Sequence, residues 1–354
     1  MKKICNFIFV LMLIFGYKAY PLNFMKEADL INIILFNDFK FNDLKDEFLK
    51  KSGVDANYVT IFNDRQEEIT ESNYKQIITN FTNNLVYEYK DIFGKKLTKN
   101  RTVYLFEKDE FVKSIAIGEK YKIKNVSVDI VYDDTSTNKI LVGKIITEPK
   151  LPQNKDSYIL KIDRNNKIAW GKIFEDSKIN KFNKIINVSD NQYCLIASGY
   201  RKSEWTDGFI ARFDGNGNFL WKGFYGSSHI DDFKDIIALE NGDILVLAEV
   251  SNGDGDVEVP ITINNPLNKD LVLLKYDSNG DIIWQNSIAN KNELNALKII
   301  NEDESVIVVG EFSEDINEDY SRNILISSFD LNGKMRFSTI IKNYENKNLN
   351  NITK

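Results

Sequence analysis

The sequence feature that most constrains the fold is a turn that recurs four times. In each copy an aspartate is followed three residues later by Asn or Gly and seven residues later by an aromatic residue. The four pairs of aspartate and aromatic residue are Asp163 and Trp170, Asp214 and Trp221, Asp277 and Trp284, and Asp330 and Phe337. Asparagine and glycine tolerate positive φ, and an aspartate accepts hydrogen bonds from the backbone amides of a turn. Each copy therefore predicts two strands joined by a tight turn, with the aromatic residue on the outgoing strand.

A second hairpin precedes each of these copies. Its turns are expected between Asp133 and Asn138, at Asp190-Asn191, at Asn241-Gly242 and near Glu302-Asp303. Each module then has four strands, and successive turn aspartates are separated by 51, 63 and 53 residues. A repeat of this length with four strands is typical of β-propeller blades.

The predicted fold class is all-β, a single β-propeller of four-stranded blades. Five full units are predicted, over residues 74–117, 126–174, 182–224, 233–288 and 294–341, and a partial unit over 58–71. Glu107 takes the aspartate position in the first full unit, and Asn63 takes it in the partial one. Six blades are favoured, with five or seven as alternatives. The segment 42–52 predicts a short helix near the N-terminus that ends at Gly53.

The N-terminus has the pattern of a secretory signal peptide. Lys2 and Lys3 precede an apolar run of 13 residues, from Ile4 to Gly16, which is short for a bilayer span. Cleavage is expected after Ala19, and an uncleaved anchor is the alternative. The predicted organisation is a signal peptide over 1–19, a segment with the short helix over 20–57, the propeller over 58–341 and a tail over 342–354. The expected location is outside the cytoplasm: periplasmic, at the cell surface or secreted.

The net charge and the small numbers of cysteine and histidine residues exclude several classes of function. The formal net charge is −6, and lysines are interspersed with acidic residues, so nucleic acid is not an expected partner. Removal of the signal peptide leaves Cys194 as the only cysteine, which is expected to be a buried thiol. His229 is the only histidine, so zinc sites with several histidines are excluded. No cofactor is predicted, and no membrane span beyond the signal peptide.

The third module resembles a known family. Gly226, Ser227, Asp231 and Asp232 match a Gly-Ser-x-x-Asp-Asp linker with one additional residue between the serine and the aspartates. The hairpin residues that match are Asn241, Gly242, Ile244 and Val246. These motifs are similar to the bacterial extracytoplasmic β-propeller repeats of the SBBP type, and the strand order resembles that of kelch blades. The resemblance covers 126–341 well and 58–117 poorly. It implies a propeller fold and export, and it implies no defined activity.

One acidic stretch is a candidate metal site. Asn252, Asp254, Asp256 and Glu258 alternate within a long connection between strands, and such loops can bind Ca²⁺. The alternative is a solvated loop. The insertion over 250–270 is the longest within any unit, and it is the predicted contact surface. Trp170, Trp221 and Trp284 are predicted to fill the layers between blades.

The predicted function is an exported binding or scaffolding module with a protein or glycan ligand. The alternative is a propeller-type hydrolase or lyase that acts on glycans. A redox protein with a bound cofactor is a third hypothesis, which the scarcity of His and Cys disfavours. The catalytic residues of the hydrolase are unknown from sequence. Convergent carboxylates with shifted pKa values in the central funnel would favour the enzyme.

Overall fold

The computed structural model separates the chain into two compact units, which are described in turn. The structure describes residues 32–45, 49, 58–90, 96–118, 120–134, 137–151, 156–174, 178–189, 191–201, 205–262, 269–288, 294–302, 304–316 and 319–342. The predicted signal peptide and residues 343–354 of the tail lie outside these ranges. Among the described residues, no helix is long and apolar enough to cross a membrane.

The first unit comprises residues up to 113 together with 119–128 and 145–149, and it is built on one mixed sheet. Its strands are β1 (Asn32–Phe36), β2 (Val59–Asn63), β3 (Glu68–Ile69), β4 (Thr82–Lys90), β5 (Lys96–Phe106) and β6 (Lys122–Val128). The order across the sheet is β3-β2-β4-β5-β1-β6. β1 runs parallel to β5, and the other pairs are antiparallel. A 3-10 helix (Phe41–Lys45) and two α-helices, α1 (Tyr74–Ile77) and α2 (Lys108–Ser114), accompany the sheet.

This unit corrects the prediction of a blade over 74–117. The expected hairpin is present as β4 and β5, but the residues on either side of it are helical. Glu107 is followed three residues later by Glu110, which is not a residue that favours the left-handed turn. Asp109 and Glu110 lie in the first turn of α2 and Lys113 in its last, which suits the helix dipole. The predicted helix over 42–52 begins as the 3-10 helix, and apart from Leu49 the rest lies outside the described residues.

The second unit contains four antiparallel sheets of four strands each. The first is β7 (Ile130–Asp133), β8 (Lys139–Glu148), β9 (Ser157–Ile162) and β10 (Ile168–Ile173). The second is β11 (Lys178–Ser189), β12 (Gln192–Tyr200), β13 (Asp207–Asp214) and β14 (Phe219–Tyr225). The third is β15 (Asp232–Ala238), β16 (Ile244–Val250), β17 (Asp270–Tyr276) and β18 (Ile282–Ile288). The fourth is β19 (Asn295–Glu302), β20 (Ser305–Ile316), β21 (Asp319–Asp330) and β22 (Met335–Ile341).

These sheets confirm the all-β class and the four-stranded blades predicted over 126–174, 182–224, 233–288 and 294–341. The described residues form four such sheets, where the repeat count favoured six. Residues 145–148 at the end of β8 belong to the first unit and pair there with β6, whereas residues 139–144 pair with β7 and β9 in the second unit. The two upstream units that were predicted as repeats, over 58–71 and 74–117, are therefore hairpins of the mixed sheet in the first unit.

Consecutive blades stack through their first strands and through apolar layers. β11 contacts both β7 and β15, and β15 contacts β19. One layer joins the first and second blades around Phe182 and Phe209, and the next joins the second and third around Phe233 and Val246. A third layer lies between the last two blades and includes Leu247. Strands buried on both faces explain the continuous apolar runs of β12, β13, β16 and β17.

The four turns have the predicted geometry. The Oδ1 atom of each turn aspartate accepts two backbone N–H bonds, from the second and fourth residues after it, at 2.8–3.0 Å. The third residue has positive φ in every copy: Asn166 at 61°, Gly217 at 75°, Gly280 at 92° and Gly333 at 88°. Asn63 makes the same two bonds in the turn between β2 and β3. A side-chain oxygen in this position is therefore what fixes the turn.

Each tryptophan of the repeat packs on the turn of the next blade. A Cβ atom on Gly217 would lie 2.6 Å from the ring of Trp170, and one on Gly280 would lie 2.6 Å from Trp221. The indole Nε1 of Trp170 donates to the Gly215 carbonyl at 2.7 Å. Trp221 donates to the Ser278 carbonyl at 2.9 Å and Trp284 to the Leu331 carbonyl at 3.3 Å. We refer to this arrangement as the tryptophan–turn contact.

A cationic side chain two residues before each of the first three turn aspartates also reaches the next blade. Lys161 donates to Asn191 Oδ1 at 3.3 Å. Arg212 donates to the carbonyls of Gly242 and Ser278, and Lys275 donates to that of Leu331. The equivalent residue of the fourth blade is Ser328.

The fourth blade therefore has neither the tryptophan N–H donor nor the cationic side chain of the other three blades. Phe337 takes the tryptophan position, has no N–H group and is 50% exposed. All seven residues of β22 are exposed, including Met335, Ile340 and Ile341. Replacement of both donors in the last repeat is consistent with an atypical terminal unit of a repeat array.

The tryptophan–turn contact makes a stability prediction. Trp221→Ala should lower the free energy of unfolding by about 3 kcal/mol, because it removes packing on Gly280 and one hydrogen bond. Trp221→Phe should lose about 1 kcal/mol, since it keeps most of the ring contact. Phe337→Ala, the matched change in the fourth blade, should lose less than about 1 kcal/mol because that ring is half exposed. Urea unfolding of the three variants measures the differences, and equal losses for Trp221→Ala and Phe337→Ala would contradict the assignment.

A second prediction concerns the turn aspartate. Asp214→Ala removes the acceptor of two backbone bonds and should cost about 0.5–2 kcal/mol, the range of comparable capping losses. Asp214→Asn keeps an amide oxygen, as Asn63 does in its own turn, and should cost less than about 0.5 kcal/mol. Thermal melting of both variants checks this pair. A larger loss for the asparagine variant than for the alanine variant would show that the carboxylate has another role.

Candidate functional site

Three connections meet at one end of the second and third blades, opposite the tight turns. They are the β12–β13 connection, the linker 226–231 between β14 and β15, and the loop 251–262 that follows β16. Alternating strand direction places all three at the same end of the sheets. We call this end the loop end. The loop 251–262 is the described part of the insertion predicted as a contact surface.

Backbone contacts attach the loop 251–262 to the linker. Asp256 donates its backbone N–H to the Gly226 carbonyl at 3.0 Å, and Gly226 N–H donates to Asp256 Oδ2 at 3.2 Å. Ser228 N–H donates to Asp254 Oδ1 at 2.7 Å. Gly255 has φ of +66°, and a Cβ atom there would lie 2.6 Å from the Gly226 carbonyl oxygen. Only glycine allows the two backbones to approach this closely.

The second part of the loop is fixed to the third blade. Val257 is buried, and Val259 and Ile261 pack against the apolar layer between the second and third blades. Gln285 on β18 accepts the Glu258 backbone N–H at 3.1 Å and donates to the Asp256 carbonyl at 3.3 Å. The loop is thus anchored at its beginning, centre and end.

Asp231 connects the linker to the start of the loop. Its carboxylate accepts the Ser251 backbone N–H at 2.9 Å, together with the backbone N–H and the hydroxyl of Ser227. It is 1% exposed. Burial raises the pKa of Asp231 to about 7, against the lowering effect of the Ser227 and Ser251 N–H groups, and the nearby carboxylate of Asp207 adds to the increase.

Arg201 bridges two other carboxylates at the loop end. Its Nε donates to Asp207 Oδ2 at 2.7 Å, and its second terminal nitrogen donates to Asp256 Oδ2 at 2.5 Å. Asp207 is buried, and within the described part of the chain its Oδ1 has no hydrogen-bond partner. Burial raises the pKa of Asp207, although Arg201 opposes the increase. Sequence analysis did not predict this cluster, because Arg201 and Asp207 flank the β12–β13 connection, whereas Asp231 lies in the linker 226–231 and Asp256 in the loop 251–262.

The solvent-facing part of the loop end is polar. Asn252 Nδ2 donates to Ser228 Oγ and to Asp254 Oδ2, each at 3.1 Å. Ser228 Oγ lies 3.0 Å from His229 Nδ1. Trp205 lies at the same end and is 45% exposed, and the next residue, Thr206, accepts the Asp231 backbone N–H. Hydroxyl, amide, imidazole and carboxylate groups beside an exposed aromatic ring can bind a polar ligand.

The four residues of the predicted calcium site make contacts with the linker and with β18. Asp254 and Asp256 accept bonds from the linker, Asn252 contacts Ser228, and the Glu258 backbone contacts Gln285. Within the part of the chain that the structure describes, no group of three or more His, Cys, Asp or Glu side chains is placed to hold a metal ion. Calcium binding by these four residues remains a prediction from sequence.

Cys194 and His229, the rare residue types considered in the sequence analysis, lie in different environments. Cys194 is fully buried on β12, and burial raises the pKa of its thiol. It is placed as predicted, in the apolar layer between blades. His229 lies in the linker beside Ser228, at the loop end.

Buried carboxylates on the third blade join neighbouring blades. Asp235 on β15 pairs with Lys184 of β11 at 2.5 Å and accepts the Ile299 N–H of β19 at 2.7 Å. Glu249 on β16 accepts the Ala296 N–H of β19 at 2.9 Å. Glu249 also pairs with Lys234 and Lys269. These carboxylates are engaged by cations and backbone amides, so their contacts account for their burial.

The first unit contains a polar cleft that sequence analysis missed. The cleft has a volume of about 270 Å³, and Asn63, Arg65, Gln76, Asn80 and Asn83 are among the residues that line it. The signal in the sequence is the amide-rich run Asn80–Asn84, which was assigned to strands of a blade.

Comparison with known proteins gives no family. No family model matches the chain, and no curated protein matches it. Among solved structures, cobalt-substituted apocarotenoid oxygenase of Synechocystis is similar at 10% identity and a TM-score of 0.36, over 75% of this chain and 59% of that one. A GH43 β-1,3-galactosidase is similar at 13% identity and a TM-score of 0.31, over 75% and 59%. The S. cerevisiae core factor is similar at 10% identity and a TM-score of 0.34, over 75% and 37%.

These similarities are too weak to carry an argument about function. The chain spans less than two thirds of the length of each of these proteins. The all-β assignment rests on the sheets described above.

Proposed function

We propose that the protein is an exported binding module that uses the loop end of its second and third blades to bind a protein or glycan ligand. The single observation that carries the proposal is the attachment of the loop 251–262 to the linker 226–231. A loop held in one conformation before binding loses less entropy when it binds, so a fixed polar surface favours recognition.

Three features support the choice of this surface. The loop belongs to the longest insertion of any blade, and insertions in repeat proteins often carry the binding face. Its polar groups, on the exposed Ser228 and Asp254 and on the half-buried His229 and Asn252, include both hydrogen-bond donors and acceptors. Trp205 adds an exposed aromatic ring of the type that stacks on sugars or packs on protein side chains.

A glycan hydrolase or lyase is the alternative. The contact between Ser228 Oγ and His229 Nδ1 is the observation that favours it, because a serine needs a nearby base to act as a nucleophile. The buried carboxylates of the third blade favour the binding module, since cations and backbone amides already occupy them.

Export forms part of the proposal, and its basis is the Lys2-Lys3 pair followed by the apolar run Ile4–Gly16. In cells that produce the full chain, most of the protein should be found outside the cytoplasm with an N-terminus near Tyr20. Fractionation followed by mass spectrometry of the intact protein measures both properties. Full-length protein in the cytosolic fraction would contradict export, and full-length protein in the membrane fraction would favour an uncleaved anchor.

Binding is tested with the mature chain on a glycan array and in sedimentation with peptidoglycan sacculi. His229→Ala and Asn252→Ala should each weaken binding about 10-fold or more, because each removes polar contacts at the proposed surface. The controls are Lys167→Ala and Asp281→Ala, exposed residues at the opposite end of the blades. All four variants should melt within a few degrees of wild type.

Two outcomes would overturn this assignment. Loss of binding in the control variants but not in the loop-end variants would place the site elsewhere. Release of reducing sugar from a bound glycan, abolished by Ser228→Ala, would identify the alternative, an enzyme.

A further inference from the structure

The loop end contains a buried oxygen atom for which the described residues supply no donor. Asp207 is 3% exposed, and its Oδ1 has no hydrogen-bond partner among those residues. The other oxygen of the same carboxylate is satisfied by Arg201 at 2.7 Å. A buried charged acceptor without a donor is costly, so its surroundings should either supply a proton or admit a cation.

Asp207 Oδ1 and Asp231 Oδ2 face the same point. A Cβ atom on Gly226 would lie 2.6 Å from Asp207 Oδ1 and 2.7 Å from Asp231 Oδ2. The absence of a side chain at Gly226 therefore leaves the two carboxyl groups as neighbours. Two like charges in a buried site cannot both ionise without a large electrostatic cost.

Among the residues that the structure describes, the charges around this pair do not neutralise it. Arg201 lies beside Asp207 and is shared with Asp256. The other described ionisable groups on the surrounding elements include His229 in the linker, Asp254, Asp256 and Glu258 in the loop 251–262, and Tyr225 at the end of β14. Arg201 pairs with Asp207 and Asp256, while Asp231 adds a third carboxyl group, and this excess of acidic groups favours one bound proton.

Both carboxyl groups also hold the loop in place. Asp231 accepts N–H groups from the linker at Ser227 and from the loop at Ser251. Asp207 positions Arg201, which binds Asp256 of the loop. A change in charge of the pair therefore acts directly on two of the attachments of the loop.

We propose that Asp207 and Asp231 hold one proton between them, and that loss of this proton loosens the loop 251–262 from the linker 226–231. With the proton bound, the pair carries a single negative charge, and Arg201 lies beside it. Without the proton, two buried negative charges repel each other. The proposal concerns the protein alone; only its consequence, weaker ligand binding at higher pH, rests on the proposed function.

The direction of the pH dependence follows from the pKa values. The folded state holds the proton more tightly than the unfolded state, because the pKa of Asp231 is raised from 3.8 to about 7. The contribution of the pair to stability is therefore fully present below pH ~4 and decreases as the pH rises through the window up to about 7. The two carboxyl groups titrate as a pair, so the inflection near pH 7 belongs to both.

The direct test follows the carboxyl groups and the loop in the intact mature protein without ligand. Carboxyl ¹³C NMR should show one deprotonation of the Asp207–Asp231 pair near pH 7. Hydrogen–deuterium exchange, corrected for the intrinsic effect of pH, should show that amides 252–257 lose about 10-fold in protection between pH 6 and pH 8.5.

Two variants with the same change in charge complete the test. Asp207→Asn can keep an oxygen towards Arg201 and place its NH₂ group towards Asp231, so the loop should stay protected across this pH range. Asp254→Asn lies in the loop and keeps an oxygen for the Ser228 N–H, so the wild-type transition should remain. Titration of both wild-type carboxyl groups below pH ~5, or unchanged loop protection in the wild type, would overturn the proposal. An unaltered transition in Asp207→Asn would also overturn it.

Discussion

A backbone carbonyl at the turn of one blade accepts an indole N–H from the blade before it, and the register of the array depends on this contact. The carbonyl is available because the turn is fixed by an aspartate that accepts two N–H groups within it. The ring can reach the turn because the residue at positive φ is glycine in the three turns that receive a tryptophan. In the first blade, whose turn receives no tryptophan, that residue is the exposed Asn166.

Because of this contact, the two ends of the second unit differ in how far the sequence and length of their connections can vary. At the turn end, sequence and length are restricted, because each turn must fit the ring of the preceding blade. At the loop end, the connections are free of that restriction and differ in length. The insertion after β16 occupies this end, where hydrogen bonds with the linker 226–231 hold it in place. Many repeat proteins likewise have one end where contacts between repeats restrict the sequence and another end where variable connections bind ligands.

Local patterns in the sequence were sufficient to predict the blades but not the first unit or the charged cluster. The turn aspartates, the residues at positive φ and the aromatic positions all follow from short-range rules, and the structure confirms them. Pairing of β1 with β5 joins residues about 70 positions apart in parallel, which no hairpin rule reports. Asp231 and Asp256 come close to Arg201 and Asp207 only because the loop end brings three connections together. The calcium hypothesis came from the spacing of four oxygen-bearing side chains along the chain. In the structure the carboxylates of Asp254 and Asp256 accept N–H groups of the linker, and calcium binding remains a prediction from sequence.

The most direct test of this account is the exchange of the indole protons in the mature protein, followed by NMR with assigned tryptophan side chains. The account predicts that the Nε1 protons of Trp170, Trp221 and Trp284 exchange at least about 10-fold more slowly than that of free indole, because each is bonded to a carbonyl of the next blade. Replacement of Gly280 by Ala should accelerate exchange at Trp221 alone, since the added Cβ would displace that ring. Exchange of all three protons at the rate of free indole would contradict the tryptophan–turn contact and the blade register built on it.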